Sequence, residues 1–219
     1  MPLLHIDSSA DTAADSVSRR LTGLFATIRK NASDPCRHRD LTAAPVPPIG
    51  PAYATLGRRV ERAGLVPPEK VAALIETADE EREWALTQPL IAELLAADTL
   101  LLGVPMYNFS IPASLKAWID RVTFPGAYVD PGTGESLLRD TRVVVVMARG
   151  GGYGPGTPRE PYDFQTPYLR AYFTDLGVTD LHFVAAELTL AGVLPQLEEL
   201  ADLGAASLER ARAAVTALA

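Results

Sequence analysis

The chain has 219 residues, of which 47% are hydrophobic and 21% are charged, and its formal net charge is -7 at pH 7. This length and apolar content suit one domain with a single large core, and they exclude a disordered adaptor or a small binding peptide. The acidic surface repels phosphodiester backbones and anionic lipid, so nucleic acid is not an expected partner.

Cysteine usage and hydropathy indicate the compartment. The single cysteine, Cys36, excludes an intrachain disulfide and a thiolate metal cluster. No run of about 18 apolar residues predicts a membrane span, and the segment MPLLHIDSSA lacks the basic and apolar regions of a signal peptide. We therefore expect a cytoplasmic protein without a membrane partner.

In the first half of the chain, short apolar runs alternate with longer amphipathic segments, which is typical of βα units around a parallel sheet. LLHI at 3–6 predicts a first strand, and apolar residues at helical spacing predict a helix from Asp15 to about Lys30. RHRDL at 37–41 is a candidate second strand, although it is strongly charged. Two segments follow, namely a proline-rich loop at 42–51 and a helical region at 69–98 with a candidate break near Gln88 and Pro89.

The second half contains the two clearest strands. TLLLGVP at 99–105 is a continuous apolar run of the kind that is buried on both faces of a parallel sheet. RVVVVMA at 142–148 is β-branched almost throughout. The other predicted elements are a helix at 113–122, a short hairpin at 124–138, a helix at 168–177, a strand at 181–188 and a helix at 194–218.

Five strands with intervening helices predict an α/β fold, a flavodoxin-like doubly wound parallel sheet with strand order 2-1-3-4-5 and helices on both faces. We expect residues 1–219 to form a single domain of this type. Ligands of such sheets bind outside the carboxyl ends of the strands, near the point where the strand order reverses. The loops after strands one, three and four should therefore meet at one edge.

The first of these loops, DSSADTAADSVS at 7–18, is rich in hydroxyl groups and ends at a helix N-terminus, which favours an anion. It matches neither the nucleoside triphosphate P-loop nor the dinucleotide fingerprint. A loop with this many neutral hydrogen-bond donors suits a phosphate monoester. The alternative is that the serines only cap the helix.

The other two loops suit a flat heterocycle. Met106, Tyr107 and Phe109 can lie beside a planar ring while the amide of Asn108 addresses its polar edge. After Arg149, three glycines allow the backbone to approach a ring closely. Each loop alone could be a plain turn, but together with the first loop they predict a mononucleotide with a flat ring, which is FMN.

The segment PMYNFSIPASLKAWID at 105–120 resembles the signature of the FMN-dependent NADH-azoreductases, a family of NAD(P)H:quinone oxidoreductases. The serine-rich loop, the RGG loop and TPYLRAYFTDLGVTDLHFVAAE follow in family order. The resemblance implies that NADH or NADPH delivers hydride to flavin N5, and that an aromatic quinone or azo acceptor is then reduced by a ping-pong mechanism. The implied FMN-binding residues are Ser9, Ser16, Val17, Ser18, Pro105, Met106, Tyr107, Asn108, Phe109, Ala148, Arg149, Gly150 and Gly151.

Two segments depart from the family pattern. Ala148 stands where the family often has serine, and TFPGAYVD follows the signature helix in place of the usual motif. We expect four aromatic side chains to face the substrate, namely Phe124, Tyr128, Tyr153 and Phe164.

The resemblance also implies a homodimer with shared active sites. Aromatic side chains in loops, including Phe124, Tyr128, Tyr162 and Phe164, would be exposed on a monomer and could wall a partner's site.

Three other functions stay open at this point. One is a flavodoxin-like electron carrier, although such carriers usually depend on a more acidic docking surface. Another is an interaction protein that kept the fold without the flavin, and a third is a reductase dedicated to a biosynthetic pathway. We predict no metal site and no titrating catalytic residue, because His5, His38 and His182 are interpreted as structural.

Overall fold

The computed structural model describes residues 2–12, 15–29 and 35–219. Within these ranges, no helix is long and apolar enough to cross a membrane. The strands form one five-stranded parallel sheet in the order β2-β1-β3-β4-β5, which confirms the predicted flavodoxin-like topology. The strands are β1 Leu3–Asp7, β2 Cys36–Asp40, β3 Thr99–Pro105, β4 Arg142–Ala148 and β5 Asp180–Ala186.

Seven α-helices connect or flank the strands in the described ranges. They are α1 Val17–Arg29, α2 Pro51–Ala63, α3 Pro68–Val71, α4 Ala78–Leu95, α5 Ala113–Val122, α6 Gln165–Asp175 and α7 Ala201–Leu218. The predicted helix after the first strand is confirmed as far as Arg29, and Lys30 lies outside the described residues.

The predicted break in the long helical segment is wrong in position. Helix α4 continues through Pro89, and the interruption lies before Ala78 instead. The buried side chains of Trp84, Leu90 and Ile91 hold both halves of α4 against the core. Their burial offsets the hydrogen bond that proline removes.

Alternate residues of the strands supply two separate cores. Leu4, Ile6, Leu100 and Leu102 face the side that carries α2, α4, α5 and α6. Leu3, Leu101, Val144 and Val146 face the side that carries α1 and α7. Because side chains of a strand alternate between faces, a nearly continuous apolar run fills both layers.

Parallel register places the carboxyl ends of the central strands at one edge. Asp7 of β1 lies opposite Gly103 of β3, and the last residues of β3, β4 and β5 lie opposite one another, namely Pro105, Ala148 and Ala186. The loops that follow β1, β3 and β4 therefore start at the same edge of the sheet.

Candidate functional site

The loop after β1 gathers hydroxyl groups at the start of α1. Ser8 Oγ donates to the carbonyl oxygen of Gly103 (2.7 Å), which fixes the loop to β3. Ser16 Oγ lies 3.1 Å from Ser9 Oγ and 3.5 Å from Ser18 Oγ, and all three residues are buried. The three hydroxyls thus form one cluster centred on Ser16 Oγ, and we call Ser9, Ser16 and Ser18 the serine cradle.

Arg19 holds the backbone of this loop in place. Its guanidinium donates to the carbonyl oxygens of Ser9 (2.8 Å) and Asp11 (2.9 Å), and both of its terminal nitrogens lie 2.8 Å from the carboxylate of Asp40. Thr42 Oγ1 adds a second donor to the Ser9 carbonyl (2.7 Å). Hydrogen bonding to Arg19 lowers the pKa of Asp40 to about 2. The role of Arg19 was not predicted, because its pairing with Asp40 on β2 joins residues distant in sequence that belong to no motif.

The loop after β3 is a tight turn with unusual backbone angles. The backbone N–H groups of Tyr107 and Ser110 each donate to the other residue's carbonyl oxygen, at 3.0 and 3.1 Å. Asn108 and Phe109 between them have φ values of 48° and 71°. Two central residues with positive φ are the pattern of a type I′ turn, and such a conformation is strained for phenylalanine. Strain of this kind is often kept where it orients functional side chains.

The loops that were predicted to meet do meet. The N–H of Ala10, in the loop after β1, donates to Tyr107 Oη (3.1 Å). The N–H of Met106 donates to the carbonyl oxygen of Ala148 at the end of β4 (2.8 Å). The serine cradle, the type I′ turn and the glycine-rich loop therefore form one continuous rim, as the strand order requires.

Arg149 is turned into the protein and is buried. Its guanidinium contacts Gln165 Oε1 (3.1 Å), Asp163 Oδ2 (3.0 Å), Thr166 Oγ1 (2.6 Å) and Glu187 Oε1 (3.0 Å). Two carboxylates and two neutral acceptors thus accept hydrogen bonds from the N–H groups of the Arg149 guanidinium. The Arg149 side chain is thus a structural anchor, and the backbone of the following glycines forms the rim.

The partners of Arg149 extend this anchor to the neighbouring strands. Gln165, also fully buried, donates to the carbonyl oxygens of Val104 (3.1 Å) and Pro105 (3.2 Å) at the end of β3. The carboxylate of Glu187 accepts from two N–H groups of the glycine-rich loop, at 3.2 Å each. Neither Gln165 nor Glu187 was predicted as a site residue, because both act through contacts distant in sequence.

The two glycines after Arg149 sit where a side chain does not fit freely. A Cβ on Gly150 would lie 2.7 Å from a methyl carbon of Leu190, and one on Gly151 would lie 3.3 Å from the ring of Tyr153. Glycine at both positions therefore avoids close contacts with Leu190 and Tyr153.

Aromatic rings surround the opening of the rim. The ring of Phe109 lies 6.3 Å from that of Tyr153 and 5.5 Å from that of Tyr162, measured between centroids. The N–H of Phe164 donates to the carbonyl oxygen of Phe109 (3.1 Å), which ties the two loops together. Tyr162 and Phe164 are 52% and 57% exposed, as expected for wall residues.

The expectation that Phe124 and Tyr128 are exposed is wrong. They are only 4% and 5% exposed and belong to the large core. The ring of Phe124 packs against Tyr53 and Trp84, with centroid distances of 5.3 and 5.0 Å. Helices α2 and α4 cover the segment TFPGAY, which explains its apolar composition. Neither aromatic ring is therefore available to a substrate.

The rim fits FMN on chemical grounds. The first turn of α1 holds no acidic residue, and the N–H groups of its first residues, Val17 and Ser18, have no acceptor within the helix. Three buried hydroxyls and a helix N-terminus suit a phosphate dianion. Flat side chains, an exposed amide on Asn108 and glycine backbone suit an isoalloxazine ring.

Comparison with known proteins gives relatives along the whole chain. A family with a flavodoxin-like fold matches residues 1–211. The FMN-dependent NADH:quinone oxidoreductase of Frankia casuarinae is 41% identical over 214 residues, which cover 97% of this chain and 95% of that protein. The protein of the same name from Nocardia farcinica is 42% identical over 198 residues, or 89% and 87% of the two chains.

Solved structures share the fold. The FMN-dependent NADH-azoreductase of Bacillus anthracis, solved in complex with FMN, superposes with a TM-score of 0.77 at 20% identity and covers 100% of this chain and 99% of its own. The NAD(P)H:quinone oxidoreductase of Methanothermobacter marburgensis superposes with a TM-score of 0.60 at 20% identity, covering 100% and 99%.

Proposed function

We propose, from the premise that the chain belongs to the flavodoxin-like family of FMN-dependent NADH:quinone oxidoreductases, that it transfers electrons from NADH to a quinone or a similar aromatic acceptor. The observation that carries this proposal is the joined rim, in which the serine cradle and the type I′ turn are linked by the contact between Ala10 and Tyr107. A rim of this kind holds a phosphate at one end and a flat ring at the other.

We assign the binding roles residue by residue. The serine cradle and the N–H groups at the start of α1 would donate to the phosphate. The ring would rest against the turn after β3 and against the backbone after β4. The assigned residues are Ser9, Ser16, Val17, Ser18, Pro105, Met106, Tyr107, Asn108, Phe109, Ala148, Gly150 and Gly151.

When bound, FMN would supply the redox chemistry, by accepting two electrons from NADH and giving them to the acceptor. The chain itself would bind and orient the flavin and shield it from water. Its buried hydroxyls are already fixed before binding, so little conformational entropy is lost there. Phe109, Tyr162 and Phe164 line the opening with exposed aromatic surface, which excludes water and suits a flat acceptor. Tyr153, which was also expected to face the substrate, is only 8% exposed and contacts Phe109.

The exposed aromatic wall also supports a homodimer. Exposed rings at Phe109, Tyr162 and Phe164 are a poor surface for a monomer but would complete a partner's pocket around a twofold axis. We further propose that the protein works in a reducing compartment such as the cytoplasm, since its one cysteine forms no intrachain disulfide.

The test is to follow the two half-reactions without oxygen. NADH should bleach the visible flavin absorption of the purified protein, and a benzoquinone added afterwards should restore it. Protein that carries FMN and is bleached by neither NADH nor NADPH would contradict the proposal.

Two charge variants, one in the loop before α1 and one on α1, locate the flavin. Ser16→Asp places a carboxylate in the serine cradle and should abolish FMN retention, because it repels the phosphate. Thr27→Asp adds the same charge to an exposed position of α1 and should leave FMN content unchanged. Equal FMN content in the two variants would remove the serine cradle from the site.

A further inference from the structure

A second group of polar side chains lies on the sheet beneath the first loop. His5 and Asp7 are two residues apart on β1, so their side chains share a face. His38 on β2 lies directly opposite His5 in the parallel register. One nitrogen of each imidazole and one oxygen of the carboxylate all lie within 4.8 Å of one another.

The distances within this group suit a small divalent ion. Asp7 Oδ2 lies 2.9 Å from His38 Nε2 and 3.2 Å from His5 Nε2. Zinc binds imidazole nitrogen and carboxylate oxygen at about 2.0–2.2 Å, which places neighbouring ligand atoms roughly 3 Å apart. An ion can therefore bind between the three atoms, in place of the hydrogen bond between His38 Nε2 and Asp7 Oδ2.

His5 provides an independent indication that the cluster binds a ligand. The residue is only 6% exposed, and its Nε2 is buried without a hydrogen-bond partner within the described part of the chain. The atom lies 3.2 Å from Asp7 Oδ2, which is within ion-pair distance but lacks the alignment of a hydrogen bond. A buried nitrogen in this state requires an explanation, and a bound ion supplies one.

The surroundings orient the carboxylate of Asp7 and keep the local charge negative. Thr22 Oγ1 donates to the other carboxylate oxygen of Asp7 (2.9 Å), which orients Oδ2 toward the imidazoles. Arg19 lies 3.8 Å from Asp7, but both of its terminal nitrogens are bound to Asp40 at 2.8 Å. Two carboxylates and one guanidinium leave one net negative charge, which favours a cation.

We propose that His5, Asp7 and His38 form a binding site for a divalent first-row transition metal ion, with zinc as the reference ion. Two imidazoles and one carboxylate are ligands that zinc accepts, and water can complete the coordination through the side where His38 is exposed. The ion would link β1 to the edge strand β2 near Asp7, where the loop that carries the serine cradle begins. The sequence analysis predicted no metal site, because the register of His5 and His38 is visible only in the folded sheet.

The experiment measures zinc binding on untagged, flavin-loaded protein that has been treated with a chelator. All proteins carry Cys36→Ser, because the thiol lies two residues before His38 on β2 and could bind zinc by itself. Calorimetric titration and metal analysis after gel filtration should give one zinc ion per chain. Zinc should also raise the thermal unfolding midpoint, since it binds only the folded arrangement.

Variants of the proposed ligands test whether this cluster binds the zinc. His38→Ala removes an exposed ligand and should weaken zinc binding at least about tenfold and abolish the thermal shift. Asp7→Asn should weaken it similarly. The matched control is His182→Ala, which removes the third histidine from β5 and should bind zinc as the parent does. Absence of saturable binding to the parent, or equal affinity in the His38→Ala and His182→Ala proteins, would overturn the proposal.

Discussion

Asn108 has two roles that a single substitution does not separate: its backbone forms the turn, and its amide lies on the rim. Its φ of 48° suits asparagine or glycine better than most residues, and its amide is exposed on the rim. Replacing it with alanine therefore removes the amide and adds backbone strain, whereas glycine removes the amide alone.

We predict that Asn108→Gly and Asn108→Ala both weaken FMN binding by about 1–3 kcal/mol, the range for an unpaired polar partner. Flavin fluorescence titration measures the affinity, and urea unfolding should show Asn108→Gly to be as stable as the parent within about 1 kcal/mol. If Asn108→Gly binds FMN as tightly as the parent, the amide has no role in the site and only the turn matters.

The ion pair of Arg19 and Asp40 predicts how stability depends on pH. The pKa of Asp40 is about 2 in the folded protein, below its ordinary value of 3.8, so the unfolded state binds more protons. The contribution is complete at neutral pH and is lost as the pH falls from about 5 through 4 toward 2.

The prediction compares the parent protein with Asp40→Asn by urea unfolding. At about pH 6 the variant should be less stable, and toward about pH 3 the difference between the two proteins should narrow. A difference that stays constant over this range would show that the Asp40 carboxylate does not carry the effect.

Single residues of the site could be predicted where they belong to a motif. The serines after β1 and the PMYNF segment were identified because their composition is unusual at the end of a strand. Phe124 and Tyr128 were misplaced because an aromatic residue in a proline- and glycine-rich segment gives no sign of the helices that cover it. Their burial depends on α2, which follows a run of prolines and was not predicted.

At the scale of elements, the strands were predictable and the helix bounds were less so. TLLLGVP and RVVVVMA have the composition of buried strands, and their alternation with helices indicates a parallel sheet. Helix α2 begins at Pro51, and proline at the first position of a helix looks the same in sequence as proline in a loop. Helix α4 passes Pro89 because tertiary packing outweighs the local preference.

Arg149 connects the ends of β4 and β5 to the start of α6, so its removal should destabilise the whole rim. The Arg149→Ala variant removes the common partner of Asp163, Gln165 and Glu187. These residues lie before α6, at the start of α6 and after β5, respectively. We predict a loss of about 3–5 kcal/mol in the free energy of unfolding, the range for breaking a buried ion pair.

Urea unfolding measures this loss, and Arg212→Ala is the matched control. Arg212 pairs with Glu209 on the surface of α7 at 3.4 Å, so its removal should change stability by less than about 1 kcal/mol. Similar effects of the two substitutions would show that Arg149 is not the anchor described above.

At the scale of the whole molecule, the exposed aromatic wall predicts self-association. Phe109, Tyr162 and Phe164 are all exposed on one side of the rim. We expect sedimentation velocity to show a dimer and specific activity to fall on dilution below the dimer dissociation constant, since each pocket would lose its partner wall.

The replacement Phe164→Ser should weaken the dimer, whereas Leu86→Ser, an exposed apolar residue on α4, should not. A monomer with full specific activity at nanomolar concentration would contradict the shared pocket and would leave each chain to wall its own flavin.

The measurement that tests the central claim most directly is a comparison of FMN with riboflavin, which differs only by the phosphate. If the serine cradle and the N-terminus of α1 hold that phosphate, the flavin-free protein should bind FMN at least about 100-fold more tightly than riboflavin, as expected for several charge-assisted hydrogen bonds. Equal affinity for the two flavins in a fluorescence titration would contradict the account, because it would leave the buried hydroxyls and the helix N-terminus without a ligand.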